Sequence, residues 1–141
     1  MGLKMVCINK KMFEEMTKSA RESYPYEGCG LLLGKNGSVG EVHFVKNIYT
    51  ERLVDRYEID PADFMRVDKI AREKSLDIVG FYHSHPDHPS SPSAFDTDRA
   101  WPEYIYIIVS VQNGRDCETK AWILDQNEKI FKEAKLEIKE N

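Results

Sequence analysis

The sequence predicts a mixed α+β fold: a central, mostly antiparallel sheet flanked by helices. Three observations carry that prediction. Two segments, Lys10–Ser23 and Pro61–Lys74, repeat apolar residues at helical spacing directly after a capping residue. Seven shorter segments are rich in β-branched and aromatic residues and end at Gly, Asn, Asp or Pro. The last three of these follow one another through short polar turns, which suits antiparallel neighbours.

Met5–Ile8 is the first strand, and Asn9 is placed to cap a helix running to about Ser23. Phe13, Met16 and Ala20 line its buried stripe, and Pro25 lies just beyond its end. "GCGLLLG" is apolar on both faces and reads as a buried strand. "KNGS" turns the chain into Val39–Tyr49, where Val42, Phe44 and Ile48 alternate with polar residues. Asp60 followed by Pro61 is a cap with proline at the first helical position, opening a helix with Phe64, Val67, Ile70 and Ala71 on one face. Asp77–His85 is the next strand, and a short helix spans about Ala94 to Ala100. Tyr104–Val111, Cys117–Leu124 and Ile130–Ile138 complete the sheet, joined at "QNGRD" and "DQNEK".

At 141 residues, with 41% hydrophobic and 31% charged side chains, the chain fits one globular domain, 1–141. Its net charge of −4 and interspersed Lys and Arg argue against a nucleic-acid partner. Three scattered cysteines without a CxxC pair indicate neither a disulfide framework nor a zinc ribbon. No signal-peptide pattern or membrane-length apolar run is present, so a cytoplasmic protein without a membrane partner is expected.

Three of the four histidines, His83, His85 and His88, fall within "GFYHSHPDHPSSPSAFD". On a strand, His83 and His85 project from the same face, because side chains alternate with period two. Asp96 follows after ten intervening residues, three of them proline, a loop long enough to return and stiff enough to hold a third ligand. Two histidines and one carboxylate leave a fourth position open, the ligand set of a catalytic zinc, with one ion expected per chain. Such a site still needs a proton acceptor. Glu27, beside Gly28 at the entry to the apolar strand, is the candidate. Ser93, three residues before Asp96, can offer a hydroxyl to a developing oxyanion.

Glu27, His83-Ser84-His85-Pro86 and Ser93-Ala94-Phe95-Asp96 together resemble the E…HxHP…SxxD motif of the JAMM (MPN+) zinc isopeptidases. The resemblance extends over nearly the whole chain, including "AWPEYIYIIVSV", and is to the compact stand-alone prokaryotic branch. It implies an MPN, cytidine-deaminase-like architecture. It also implies zinc held by His83, His85 and Asp96, Glu27 as general acid/base, and Ser93 stabilising the tetrahedral intermediate. Long insertions that give eukaryotic members chain-linkage selectivity are missing. By the same resemblance the substrate is an amide bond after the C-terminal Gly-Gly of a ubiquitin-like sulfur carrier or its conjugates. The tail is expected in a groove between the Glu27 segment and the His88–Ser93 loop, paired with an exposed strand edge. The oligomeric state is left open, a homodimer included.

Several residues invite other readings. His88 suits a solvated loop, His43 a strand edge, and Asp98 falls outside the SxxD frame. Cys29 is a nucleophile only if its thiol is exposed and activated. Trp101 and Tyr104 belong to core or rim. Rival functions are a non-catalytic MPN scaffold, a general zinc aminopeptidase, and a RadC-type relative. The last typically carries a helix-hairpin-helix region, for which the chain has no room.

Overall fold

The computed structural model describes residues 5–49 and 54–140. The described residues form β1 (Met5–Asn9), α1 (Lys10–Ser23), β2 (Cys29–Lys35), β3 (Ser38–Val45), α2 (Pro61–Glu73), β4 (Asp77–Pro86), α3 (Ala94–Arg99), β5 (Ile105–Gln112), β6 (Asp116–Leu124) and β7 (Phe131–Lys139). The mixed class is as expected, but the sheet closes on itself in the order β1-β3-β2-β4-β5-β6-β7. Closure is made by β1, which pairs in parallel with β7 from Met5 to Asn9 and with β3 at Cys7 and Ile8. β4 and β5 are also parallel, and the remaining neighbours are antiparallel.

Both long helices begin where their caps predict. The Asn9 side chain accepts the Met12 N–H at 2.8 Å, and Asp60 accepts the Ala62 N–H at 2.9 Å. α1 buries Met16 and Ala20 in the main core with Val6, Ile8, Leu32, Tyr82 and Ile107. α2 buries Val67 and Ala71 against Leu31 and Leu33 on the other face of the sheet. Leu32 therefore points to α1 while Leu31 and Leu33 point to α2, which is why β2 is apolar without alternation.

The same two-sidedness sets the site. Along β4, Tyr82 joins the α1 core, whereas Ile78 and Phe81 join the α2 face. By alternation His83 and His85 share the α2 face but lie further along the strand than its apolar cover.

Two expectations change. β3 ends at Val45 rather than Tyr49, and beyond it Asn47 makes a single bridge to Ile59. A register shift between Leu33 and Gly34 inserts an extra residue into β3; Phe44, further along the strand, is 40% exposed with its ring edge-on to buried Tyr82. β4 offers no free edge for main-chain pairing, since β2 and β5 occupy both sides, whereas β3 pairs with β1 only at Ser38 and Val39. Among the described residues no helix is long and apolar enough to cross a membrane.

Candidate metal centre

β4 delivers His83 and His85 as expected, and the capped start of α3 delivers Asp96. All three are buried. His83 Nε2 and His85 Nε2 are 3.1 Å apart, and Asp96 Oδ2 is 3.2 Å from the first and 3.1 Å from the second. Tetrahedral ligands about 2.0–2.1 Å from zinc stand about 3.3 Å from one another, so this triangle has the edge length of one face of such a site.

Donor chemistry agrees with the distances. His85 Nδ1 lies 2.7 Å from the Pro89 carbonyl, which can only accept, so Nδ1 carries the proton and the Nε2 lone pair faces the triangle. Asp96 Oδ2 also accepts the Ser93 N–H at 2.9 Å, while the Asp96 N–H donates to Ser93 Oγ at 3.0 Å. SxxD is thus a reciprocal capping box: it starts α3 and aims the carboxylate in one arrangement. Ser93 Oγ uses a lone pair in that box, which leaves its hydroxyl hydrogen able to donate.

Glu27 is brought to the same place by the centre of the HxH motif. Ser84 points to the opposite face from the histidines. Its Oγ accepts the Gly28 N–H at 2.8 Å, and its N–H donates to the Gly28 carbonyl at 3.0 Å. A Cβ on Gly28 would lie 2.5 Å from Ser23 Oγ, so a larger residue here would force that hydroxyl to turn away. One Glu27 carboxylate oxygen then lies within 4.8 Å of ring nitrogens of His83 and His85. Glu27, His83 and His85 could by themselves hold an ion, so two carboxylates compete for the third position. Asp96 is the better placed, already in contact with both imidazoles.

Electrostatics separates the two acids. Burial, reinforced by the charges of Asp96 and Asp55, pushes the Glu27 carboxyl up to about 9. Its Oε1 is buried without a hydrogen-bond partner among the described residues. Burial also opposes the Asp96 charge. The neighbouring His83 and His85 rings and the Ser93 amide together outweigh it and hold Asp96 well below the usual carboxylate range. His83 is lowered by burial, so its neutral, ligating form is favoured. Cys29 is buried in β2 with its thiol pushed up to about 12, again by burial, which removes it as a nucleophile.

The remaining candidates take no part in the triangle. His88 is an exposed loop residue. His43 pairs with Glu41 at 3.0 Å. Trp101 is 66% exposed on a rim. Asp98 lines a cavity of about 590 Å³ together with Tyr57, His83, Phe95, Asp96 and Tyr106. A second cavity of about 480 Å³ is the expected groove, with Glu27, His85, His88, Ser93 and Phe95 in its wall. Phe95 is common to both. Sequence reasoning missed Asn47, which the alternation through Ile48 placed inside a strand, and Tyr57, because residues 50–59 show no periodicity that marks it.

A family model described as prokaryotic homologs of the JAB domain matches residues 9–124. The chain belongs to that family, the compact prokaryotic branch of JAMM/MPN proteins. It is 42% identical over 89 residues to the desampylase of Haloferax volcanii, covering 61% of this chain and 63% of that protein. It thus spans less than two thirds of the Haloferax protein. A desampylase of Pyrococcus furiosus is 35% identical over 106 residues, covering 74% of this chain and 71% of the relative. The CysO-cysteine peptidase of Mycobacterium tuberculosis is 26% identical over 119 residues, covering 84% and 82%. Among solved structures, a Desulfitobacterium hafniense protein superposes with a TM-score of 0.84 at 29% identity, covering 97% of this chain and 94% of the other.

Proposed function

We propose that this chain is a zinc-dependent hydrolase that cleaves an amide bond after the C-terminal Gly-Gly of a ubiquitin-like sulfur carrier. The observation that carries the reading is the triangle of His83, His85 and Asp96, with Glu27 one water's reach away. The names of the relatives, desampylase and CysO-cysteine peptidase, support the substrate class.

His83, His85 and Asp96 would hold the metal. Bound there, zinc supplies Lewis acidity, acidifying a water and polarising a carbonyl oxygen. Glu27 accepts the proton of the attacking water and delivers it to the departing amine. A cation beside it offsets the burial that otherwise keeps it protonated, so it can act as the base. The Ser93 hydroxyl donates to the oxygen on which negative charge develops. Asp96 stays ionised throughout.

This proton path also orients the substrate. An amide lying across the triangle extends into both cavities, on either side of Phe95. The departing nitrogen must face Glu27, so the leaving group occupies the cavity that Glu27 lines. The carrier tail then enters the cavity beside His83 and Asp96, not the groove between the Glu27 segment and the His88–Ser93 loop where the sequence alone places it. Glycines suit the last positions of that tail, because only they let backbone come close to the metal.

The test offers purified, zinc-loaded protein three substrates: a carrier extended past Gly-Gly, the same carrier with both glycines changed to alanine, and a free tail peptide. The intact carrier should be cut much faster than the other two. Equal cleavage of all three would instead indicate a general peptidase.

A further inference from the structure

Metal-binding histidines almost always fix their ring plane by donating the outer N–H to a partner. His85 does so, to the Pro89 carbonyl. His83 does not: its Nδ1 is buried and has no hydrogen-bond partner among the described residues. What lies against it is the ring of Tyr57, nearly parallel at 20° with centroids 4.5 Å apart.

Tyr57 belongs to neither helix nor strand, yet its backbone is held on both sides. The Asn47 side chain donates from Nδ2 to the carbonyls of Arg56 at 2.9 Å and Glu27 at 3.1 Å. Its Oδ1 accepts the N–H groups of Glu58 and Tyr49, both at 3.0 Å. Two donated and two accepted bonds use the full capacity of the amide. The Ile48 N–H adds a bond to the Glu58 carbonyl at 3.0 Å. Asn47 therefore pins the residues before and after Tyr57, and ties them to the backbone of Glu27.

We propose that Tyr57 is the positioning residue for His83, its clamped ring face replacing the missing outer hydrogen bond, with Asn47 as the clamp. The inference rests on His83 being a metal ligand. A face, not a hydroxyl, is what the role demands. Phenylalanine should serve at position 57, and an aliphatic side chain of similar bulk should not.

Metal affinity is measured by competition with a chromophoric chelator, and ligand geometry by the visible absorption of cobalt-loaded protein. Thermal unfolding without metal confirms that each variant folds. Tyr57→Leu should bind zinc about 10–100-fold more weakly than wild type and shift the cobalt bands. Tyr57→Phe should restore both. Asn47→Ala, which keeps the ring but releases its clamp, should weaken binding in the same direction and serves should Tyr57→Leu not fold. Wild-type affinity and spectrum in a folded Tyr57→Leu or in Asn47→Ala overturns the proposal. So does a Tyr57→Phe protein as impaired as Tyr57→Leu. If wild type itself binds no metal, the failure lies with the metal site and not with Tyr57.

Discussion

Glu27 and Asp96 are two buried carboxyls at one site, and their surroundings drive them in opposite directions. Such a split assigns roles: the acid kept low by imidazoles is a standing ligand, and the acid kept high by burial is a proton carrier. Glu27→Gln should therefore retain metal while turnover falls by about 10²–10⁴, the usual worth of a general acid–base group. Near-normal turnover in that variant would remove Glu27 from the mechanism. A pH signature follows in metal-free protein. Glu27 is raised from 4.5 to about 9, so across that window the unfolded chain releases its proton while the folded chain keeps it. Stability contributed by the neutral carboxyl is complete below 4.5 and declines as pH rises towards 9. The melting temperature of Glu27→Gln minus that of wild type, measured in chelator, should grow from pH 5 to pH 8.5. A flat difference contradicts a buried, neutral Glu27. His83, His85 and Asp96 were legible in the sequence because strand period and the SxxD spacing are local, and Glu27 through its place before the apolar strand and the motif it completes. Tyr57 and Asn47 were not, since stacking and clamping depend on where a non-periodic segment comes to rest.

At the scale of elements, the loop from Asp87 to Ser93 has no secondary structure but is tied to three neighbours. Ser90 Oγ donates to Glu118 at 2.7 Å, and Trp122 Nε1 donates to the Ser90 carbonyl at 2.8 Å. Ser110 Oγ donates to the His88 carbonyl. Asp87 accepts from Tyr24 Oη at 2.5 Å and from the Asn113 N–H at 2.8 Å. β5, β6 and the end of α1 thereby fix the Pro89 carbonyl that orients His85. Trp122→Phe keeps the bulk and loses the donor. It should destabilise the fold by about 1 kcal/mol and speed amide exchange in residues 88–93. Unchanged exchange there would mean the indole does not anchor the loop. Ser93→Ala removes the cap of α3, worth about 0.5–2 kcal/mol, and the oxyanion donor. It should lower kcat by about 10²–10³ with KM little changed, and a kcat near that of wild type would leave Ser93 only its capping role. Helices were predicted closely because caps are short-range signals. β3 was overextended because Ile48 continued its alternation, whereas Asn47 turns its side chain to backbone groups of Glu27 and Arg56 and ends the pairing.

At the scale of the molecule, closure was the feature least visible beforehand. It rests on Met5–Asn9 lying parallel to Lys135–Lys139, a pairing between the two ends of the described chain that no local pattern encodes. The barrel leaves β4 flanked on both sides, so its histidines sit on a strand that cannot slip. α2 covers the start of that strand's outer face, and the site opens where the cover stops. All of this converges on one claim: His83, His85 and Asp96 hold a metal, and Glu27 stands beside it without binding it. Zinc per chain, counted by elemental analysis after purification without chelator, tests it most directly in wild type, Glu27→Gln and Asp96→Ala compared side by side. One zinc per chain in wild type and Glu27→Gln, with loss in Asp96→Ala, is the predicted result. Retention in Asp96→Ala with loss in Glu27→Gln would contradict it and make Glu27 the third ligand.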